Sequence, residues 1–216
     1  MNSIDIRKSV KNNYDLIAEK YSQEYGTVLL DIPFIDIIET YIKPNSKIID
    51  LGGGTGKYTK YLNDKGYDTI CYDFSYEMIS EGLKIYNDFP YIVDDMININ
   101  KHFDNNSIDC IISLYSFFHI PKEEMKGLLM SIHNVLRNNG LLCISIKVGI
   151  GEEYVDEPYL GDKGKECLYL GYYQKDEFYK LLEDCKYKIE YQEEREELGD
   201  NTIGDNSTLY LIIRCI

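Results

Sequence analysis

No two cysteines in this sequence form a C-x-x-C pair. The six present (Cys71, Cys110, Cys143, Cys167, Cys185 and Cys215) lie far apart, which indicates neither a zinc ligand set nor a disulfide framework. Three of them fall inside apolar, strand-like runs, where a reduced thiol behaves as a small hydrophobe. Histidine is scarce too, and the spacings of His102, His119 and His133 match no metal site. The longest nearly unbroken apolar stretch, CIISLYSFFHI from Cys110 to Ile120, falls well short of the roughly 20 residues that span a bilayer. The amino-terminal MNSIDIRKSVKNNYDL is charged throughout and offers no hydrophobic segment for a secretory signal. The expectation is a cytoplasmic protein with no membrane partner. Basic residues are in deficit, 23 Lys and Arg against 37 Asp and Glu, so the net charge of -14 repels phosphate backbones and a nucleic-acid partner is not expected. Composition sets no oligomeric state.

What remains is the balance of one globular domain, 216 residues of which 44% are apolar and 28% charged. Short apolar runs alternate with amphipathic helical patterns, the sequence form of a parallel sheet covered by helices. Strands are expected at Lys47 to Leu51, Thr69 to Asp73, Tyr91 to Val93, Ile108 to Leu114 and Leu141 to Val148, with a terminal pair at Lys188 to Gln192 and Thr208 to Arg214. Helices are expected at Asn12 to Tyr25, at Ile32 to Tyr41, after Ile120 with Pro121 in the first turn until Asn139-Gly140 ends it, and at Gln174 to Asp184. The fold class is α/β: a Rossmann-like, doubly wound, seven-stranded, mostly parallel sheet with an antiparallel C-terminal hairpin and helices on both faces. Residues 1–45 read as an N-terminal helical lid, 46–148 as a ligand-binding half and 149–216 as an insertion followed by the terminal hairpin, all within a single domain.

The sharpest signal is IIDLGGGTGKYTKYL, Ile48 to Leu62, where an apolar strand runs into a glycine cluster that opens a helix. A P-loop, G-x-x-x-x-G-K-[ST], fails because Leu51 stands at its first glycine and Tyr58 at its hydroxyl. A dinucleotide turn, G-x-G-x-x-G, fails in both frames: counted from Gly52 the closing position is Lys57, and from Gly54 it is Thr59. What stands there is D-x-G-x-G-x-G, made of Asp50, Gly52, Gly54 and Gly56. Glycines without Cβ let the backbone turn and approach a ligand closely, and Asp50 offers an acceptor to an ammonium group. Asp73, at the end of the next strand, stands about where α/β nucleotide folds place a carboxylate on ribose hydroxyls.

In these residues the sequence resembles the class I S-adenosylmethionine-dependent methyltransferases of the type-11, small-molecule group, and the likeness extends from about Tyr14 to the carboxyl terminus. The resemblance implies S-adenosylmethionine as cofactor, with apolar contacts to adenine from Phe74 and Met78. It implies an acid-plus-apolar pair, Asp95-Met96, whose carboxylate accepts from the adenine amino group; Asp94 is the alternative. It also implies that backbone near Ser113 and Leu114 lines the cofactor. In NNYDLIAEKYSQEY the likeness is to a Y-D-x-x-A-x-x-Y segment, whose tyrosines, here Tyr14 and Tyr21, close over the methionine end. The glycine turn, the Phe74 and Met78 pair and the tyrosines also have purely structural accounts: a tight turn, helix-on-sheet packing, and a tyrosine-rich helix docking on the sheet.

Methyl transfer from a sulfonium is an in-line displacement, in which positioning supplies about 7 to 11 kcal/mol. A general base adds roughly 10²- to 10⁴-fold. His119 is the candidate base, since it follows the fourth strand on the ligand side and imidazole titrates near neutrality; a loop-filling histidine is the alternative. In relatives the stretch Gly149 to Gly171 bounds the acceptor pocket. Its acids, with Tyr154, Tyr159 and Tyr169 and the following Tyr172 and Tyr173, suit a cationic or aromatic small molecule. No acceptor signature such as N-P-P-Y is present. The alternatives to a small-molecule methyltransferase are a catalytically silent cofactor-binding module and a nicotinamide-dependent oxidoreductase.

Overall fold

In the computed structural model, which describes residues 2–156, 167–196 and 207–216, the run KIIDL forms β1 (Lys47–Leu51), buried after its first residue. A strand covered on both faces reads as a continuous apolar run, the mark of a central parallel strand. Strand β1 pairs in parallel with β2 (Asp68–Asp73) on one side and β4 (Ile108–Ser113) on the other. Beyond these, β3 (Tyr91–Val93) joins β2, and β5 (Leu136–Val148) joins β4. The order 3-2-1-4-5 therefore reverses between β1 and β4, and a crevice opens at their carboxyl ends.

Period-two alternation sends successive side chains to opposite faces. Ile49, Leu51 and Ile111 pack with Met125 and Ile132 of α5 (Lys122–Val135) and Phe178 of α6 (Lys175–Asp184). On the other face Ile48, Cys110 and Ile112 meet Phe34 and Ile38 of α2 (Ile32–Glu39) and Leu62 of α3 (Lys57–Asp64). Two further helices, α1 (Ser3–Tyr25) and α4 (Tyr76–Tyr86), pack against each other. No helix of the described residues is long and apolar enough to cross a membrane.

The antiparallel hairpin is present: β8 (Tyr187–Glu196) pairs with β9 (Ser207–Cys215), which also runs antiparallel to β5. The described residues hold nine strands, two more than expected. The added pair, β6 (Glu152–Asp156) and β7 (Cys167–Tyr173), lies largely within the stretch read as a pocket-bounding insertion, and β7 joins β5 in parallel through Lys147 and Val148. Tyr159 of that stretch lies outside the described residues.

Two boundaries differ from expectation for physical reasons. Helix α1 begins at Ser3, nine residues before the expected Asn12, capped by the Asn2 side chain, which accepts from the Asp5 N–H. Its first turns bury Ser3 and Arg7, polar residues that apolar periodicity does not reveal. Helix α5 stops at Val135, short of Asn139-Gly140, because Leu136 is already extended and pairs with Ile108.

Candidate functional site

A cavity of about 390 Å³ lies at the carboxyl ends of β1, β2 and β4, floored by the turn between β1 and α3 and covered by α1. The turn needs its glycines: Gly52, Gly54 and Gly56 all have positive φ (73°, 56° and 71°). At Gly52 an added Cβ would lie 2.5 Å from Ser116, and at Gly56 it would lie 2.5 Å from the Phe89 ring. Gly52 and Gly54 line the cavity; Gly56 does not, and its small size instead admits Phe89.

The N–H groups of this turn are committed within the protein. Gly52 and Gly53 donate to the Tyr72 carbonyl at 2.7 and 3.3 Å, Gly54 to Asp73 Oδ2 at 2.8 Å, and Gly56 to the Gly53 carbonyl at 2.9 Å. A phosphate-binding turn aims such donors at its ligand. Here they point inward, and carboxylates stand beside the turn. A diphosphate finds none of these glycine donors aimed at it, whereas a ligand offering hydroxyls and positive charge meets the carboxylates.

Asp50, the last residue but one of β1, has Oδ2 accepting from the Thr59 N–H (3.0 Å) and hydroxyl (2.8 Å), so one oxygen anchors α3. Burial pushes its carboxyl up to about 6 despite those two bonds. Asp73 accepts from the N–H groups of Gly54 and Ser75, both at 2.8 Å, and burial again raises it to about 6. Both acids line the cavity, as do Phe74, Met78, Met96 and Leu114. Ser113 does not: its hydroxyl lies behind the turn, donating to the Leu51 carbonyl at 2.7 Å. Asp94 and Asp95 both line the cavity and differ in partners. Asp94 is held by Asn98 and His102, whereas Asp95 caps the following 3-10 turn and accepts from Arg7 Nε at 2.7 Å.

Helix α1 spans the opening. Arg7 also pairs with Glu124, Asp15 accepts from the Ser75 hydroxyl at 2.6 Å, and Tyr14, Tyr21 and Tyr25 present successive rings 6.2 and 5.3 Å apart. The Tyr14 hydroxyl lies 2.9 Å from His119 Nε2, and His119 Nδ1 lies 2.9 Å from the Tyr169 carbonyl. A carbonyl only accepts, so Nδ1 carries the proton and Nε2 accepts from Tyr14. Burial lowers His119 to about 4, which keeps the ring neutral. His119 is therefore not a free base at the cavity wall, because its lone pair is already engaged by Tyr14.

Sequence reasoning passed over a second group. Asp31, 1% exposed, accepts at Oδ2 from Tyr58 (2.6 Å) and at Oδ1 from Tyr210 (2.9 Å) and Tyr115 (3.0 Å), with Arg195 3.5 Å away. Tyr115 follows β4 with a φ of 59°, an uncommon conformation for a side-chain-bearing residue. Asp31, Tyr58 and Tyr115 line the cavity together with Lys57 and Arg7. Their tyrosines lie far apart in the chain, and no local motif announces them. Lys57 was visible, but only as part of a P-loop that failed.

A family model described as a methyltransferase domain matches residues 49–144. An uncharacterized methyltransferase of Alkaliphilus oremlandii is 30% identical over 198 residues, covering 89% of this chain and 78% of the relative. Another, of Staphylococcus carnosus, is 26% identical over 215 residues, covering 95% of this chain and 92% of the relative. Among solved structures, Burkholderia thailandensis 1,6-didemethyltoxoflavin-N1-methyltransferase, with bound 1,6-didemethyltoxoflavin and S-adenosylhomocysteine, superposes with a TM-score of 0.74 at 13% identity, covering 100% of this chain and 91% of that one.

Proposed function

The chain belongs to the class I S-adenosylmethionine-dependent methyltransferases, and on that premise we propose that it methylates a small-molecule acceptor enclosed beneath α1, at the tyrosine-lined end of the cavity. Bound there, S-adenosylmethionine supplies an electrophilic methyl group. Asp73 would accept from its ribose hydroxyls, Asp95 from its adenine amino group and Asp50 from its ammonium. Gly52, Gly54 and Leu114 would give backbone contact, and Phe74, Met78 and Met96 apolar contact. Tyr14 and Tyr21 would close the methionine end. Residues 1–45 then act as the cover, 46–148 as the cofactor half and 149–216 as support for the acceptor side.

One observation carries the cofactor assignment: the glycine turn directs its N–H groups into the protein while buried carboxylates flank it. For the acceptor, the support is enclosure and charge. The cavity is lined by Asp31, Asp50, Asp73, Asp94 and Asp95 against the cations Arg7 and Lys57, a balance that favours cationic or phenolic acceptors over anionic ones. The same balance disfavours a nucleic acid.

The Tyr14 to His119 pair is where a proton would move. Tyr14 Oη accepts the acceptor's proton while its own passes to His119 Nε2, whose orientation the Tyr169 carbonyl holds. Burial opposes the imidazolium so formed, which makes it a transient carrier of that proton and not the resting state of the ring. Incubation with methyl-labelled S-adenosylmethionine and a panel of amines, phenols, carboxylic acids, RNA and protein extract tests the reading. Label in amines or phenols is expected. Transfer confined to RNA, protein or carboxylic acids would refute it.

A further inference from the structure

Of the two cations that line the cavity, one makes no ion pair among the described residues. Among the described residues, each lining carboxylate has partners: Asp31 the hydroxyls of Tyr58, Tyr115 and Tyr210, Asp50 Thr59, Asp73 two backbone N–H groups, Asp94 Asn98 and His102, Asp95 Arg7. Of the two lining cations, Arg7 is bound on both sides, by Asp95 and Glu124. Among the described residues Lys57 makes no ion pair: its Nζ takes one hydrogen-bond partner, the Tyr25 carbonyl at 3.3 Å, and lies 5.2 Å from the centre of the Tyr58 ring. Its position is fixed by the glycine turn, since it opens α3 directly after Gly56, where the helix N-terminus adds partial positive charge.

We infer that Lys57 anchors the carboxylate at the methionyl end of S-adenosylmethionine, opposite Asp50, which faces the ammonium. The inference rests on reading this cavity as the cofactor's. An amino-acid end is a zwitterion, and recognising it takes one cation and one anion at close range. Lys57 stands close enough to feel the charge of Asp31 and, less strongly, of Asp50, and Oδ1 of Asp50 takes no hydrogen bond from the described residues. Partial burial also lowers the Lys57 ammonium, so an incoming carboxylate replaces solvation that the site withholds. An anionic group on the acceptor would offer the same chemistry, and two nucleosides separate the sources. S-adenosylhomocysteine carries the carboxylate; 5′-methylthioadenosine is the same thioether nucleoside without the amino-acid end.

Titration calorimetry on the full chain, as wild type, K57M and K57R, compares both ligands. K57M should weaken S-adenosylhomocysteine by about 10- to 100-fold, the worth of a charge-assisted hydrogen bond, and leave 5′-methylthioadenosine within about twofold. K57R should retain most of the affinity. S-adenosylhomocysteine bound by K57M as tightly as by wild type would overturn the inference and hand the lysine to an anionic acceptor. Equal losses for both nucleosides would also overturn it, leaving Lys57 a part of the turn alone. Should K57M fail to fold, wild type is titrated with S-adenosylhomocysteine and its carboxamide, where equal affinities would refute the inference. Wild type that binds neither nucleoside would remove the cofactor reading, and the lysine's role with it.

Discussion

Asp73 carries two duties, holding the Gly54 N–H and facing the cavity, and the second can be measured. Asp73→Ala should weaken S-adenosylhomocysteine by about 1 to 3 kcal/mol in calorimetry, the cost of stranding buried hydrogen-bond partners; unchanged affinity would remove it from the site. Because Asp50 and Asp73 titrate near 6 and accept best as carboxylates, cofactor affinity should fall as pH drops through 6. Their effect on stability has the opposite sense: the folded state holds protons that the unfolded chain, titrating near 3.8, has released, so that contribution is lost as pH rises through 6. His119 runs the other way. Lowered from 6.5 to about 4, it stabilises the fold fully above 6.5 and loses that contribution as pH falls toward 4. Denaturant melts should show the advantage of wild type over H119Q shrinking by about 2 kcal/mol between pH 7.5 and pH 5. A constant gap would mean that burial does not hold the ring neutral.

Helix α1 is held by polar as well as apolar contacts. Arg7 holds Asp95 and Glu124, Asp15 holds Ser75, Tyr14 holds His119, and Ile6 and Val10 supply apolar contact with Leu168 and Tyr169. R7M leaves two half-buried carboxylates unpaired, so hydrogen exchange across residues 3–25 should quicken about tenfold or more while β4 and β5 are unaffected. Uniform quickening would show that the helix is not a separable cover. The same contrast explains what the sequence disclosed. KIIDL was legible to the residue because a central parallel strand is apolar on both faces, YIV, an exposed edge strand, because Pro90 and Asp94 bound its apolar run, and Asp50 and Asp73 because they stand at the carboxyl ends of apolar runs. The extra turns of α1 were not, because Ser3 and Arg7 are buried by pairing. Strands β6 and β7 hid among glycines and acids, with only two residues joining β7 to β5. Asp31 gathers Tyr58, Tyr115 and Tyr210 from distant segments, and only tertiary structure brings them together. At the β1 to α3 turn, Gly56→Ala places a methyl against Phe89 at a positive φ, so a loss of about 1 to 3 kcal/mol in stability is expected from denaturant melts.

For the molecule as a whole, a net charge of -14 means that folding gathers like charges. Raising salt from about 10 to 150 mM shortens the screening length from about 30 to 8 Å, so the melting temperature should rise; a fall would show that ion pairs such as those of Arg7 outweigh the general repulsion. The Asp31 cluster has a consequence in time as well as space. It ties a residue near the start of the chain to Tyr210 near its end. A nascent polypeptide on the ribosome can complete the early strands and the glycine turn, yet Tyr58 and Tyr115 lack their shared tie to Tyr210 until β9 emerges, so that wall of the cavity is fixed after the turn it faces.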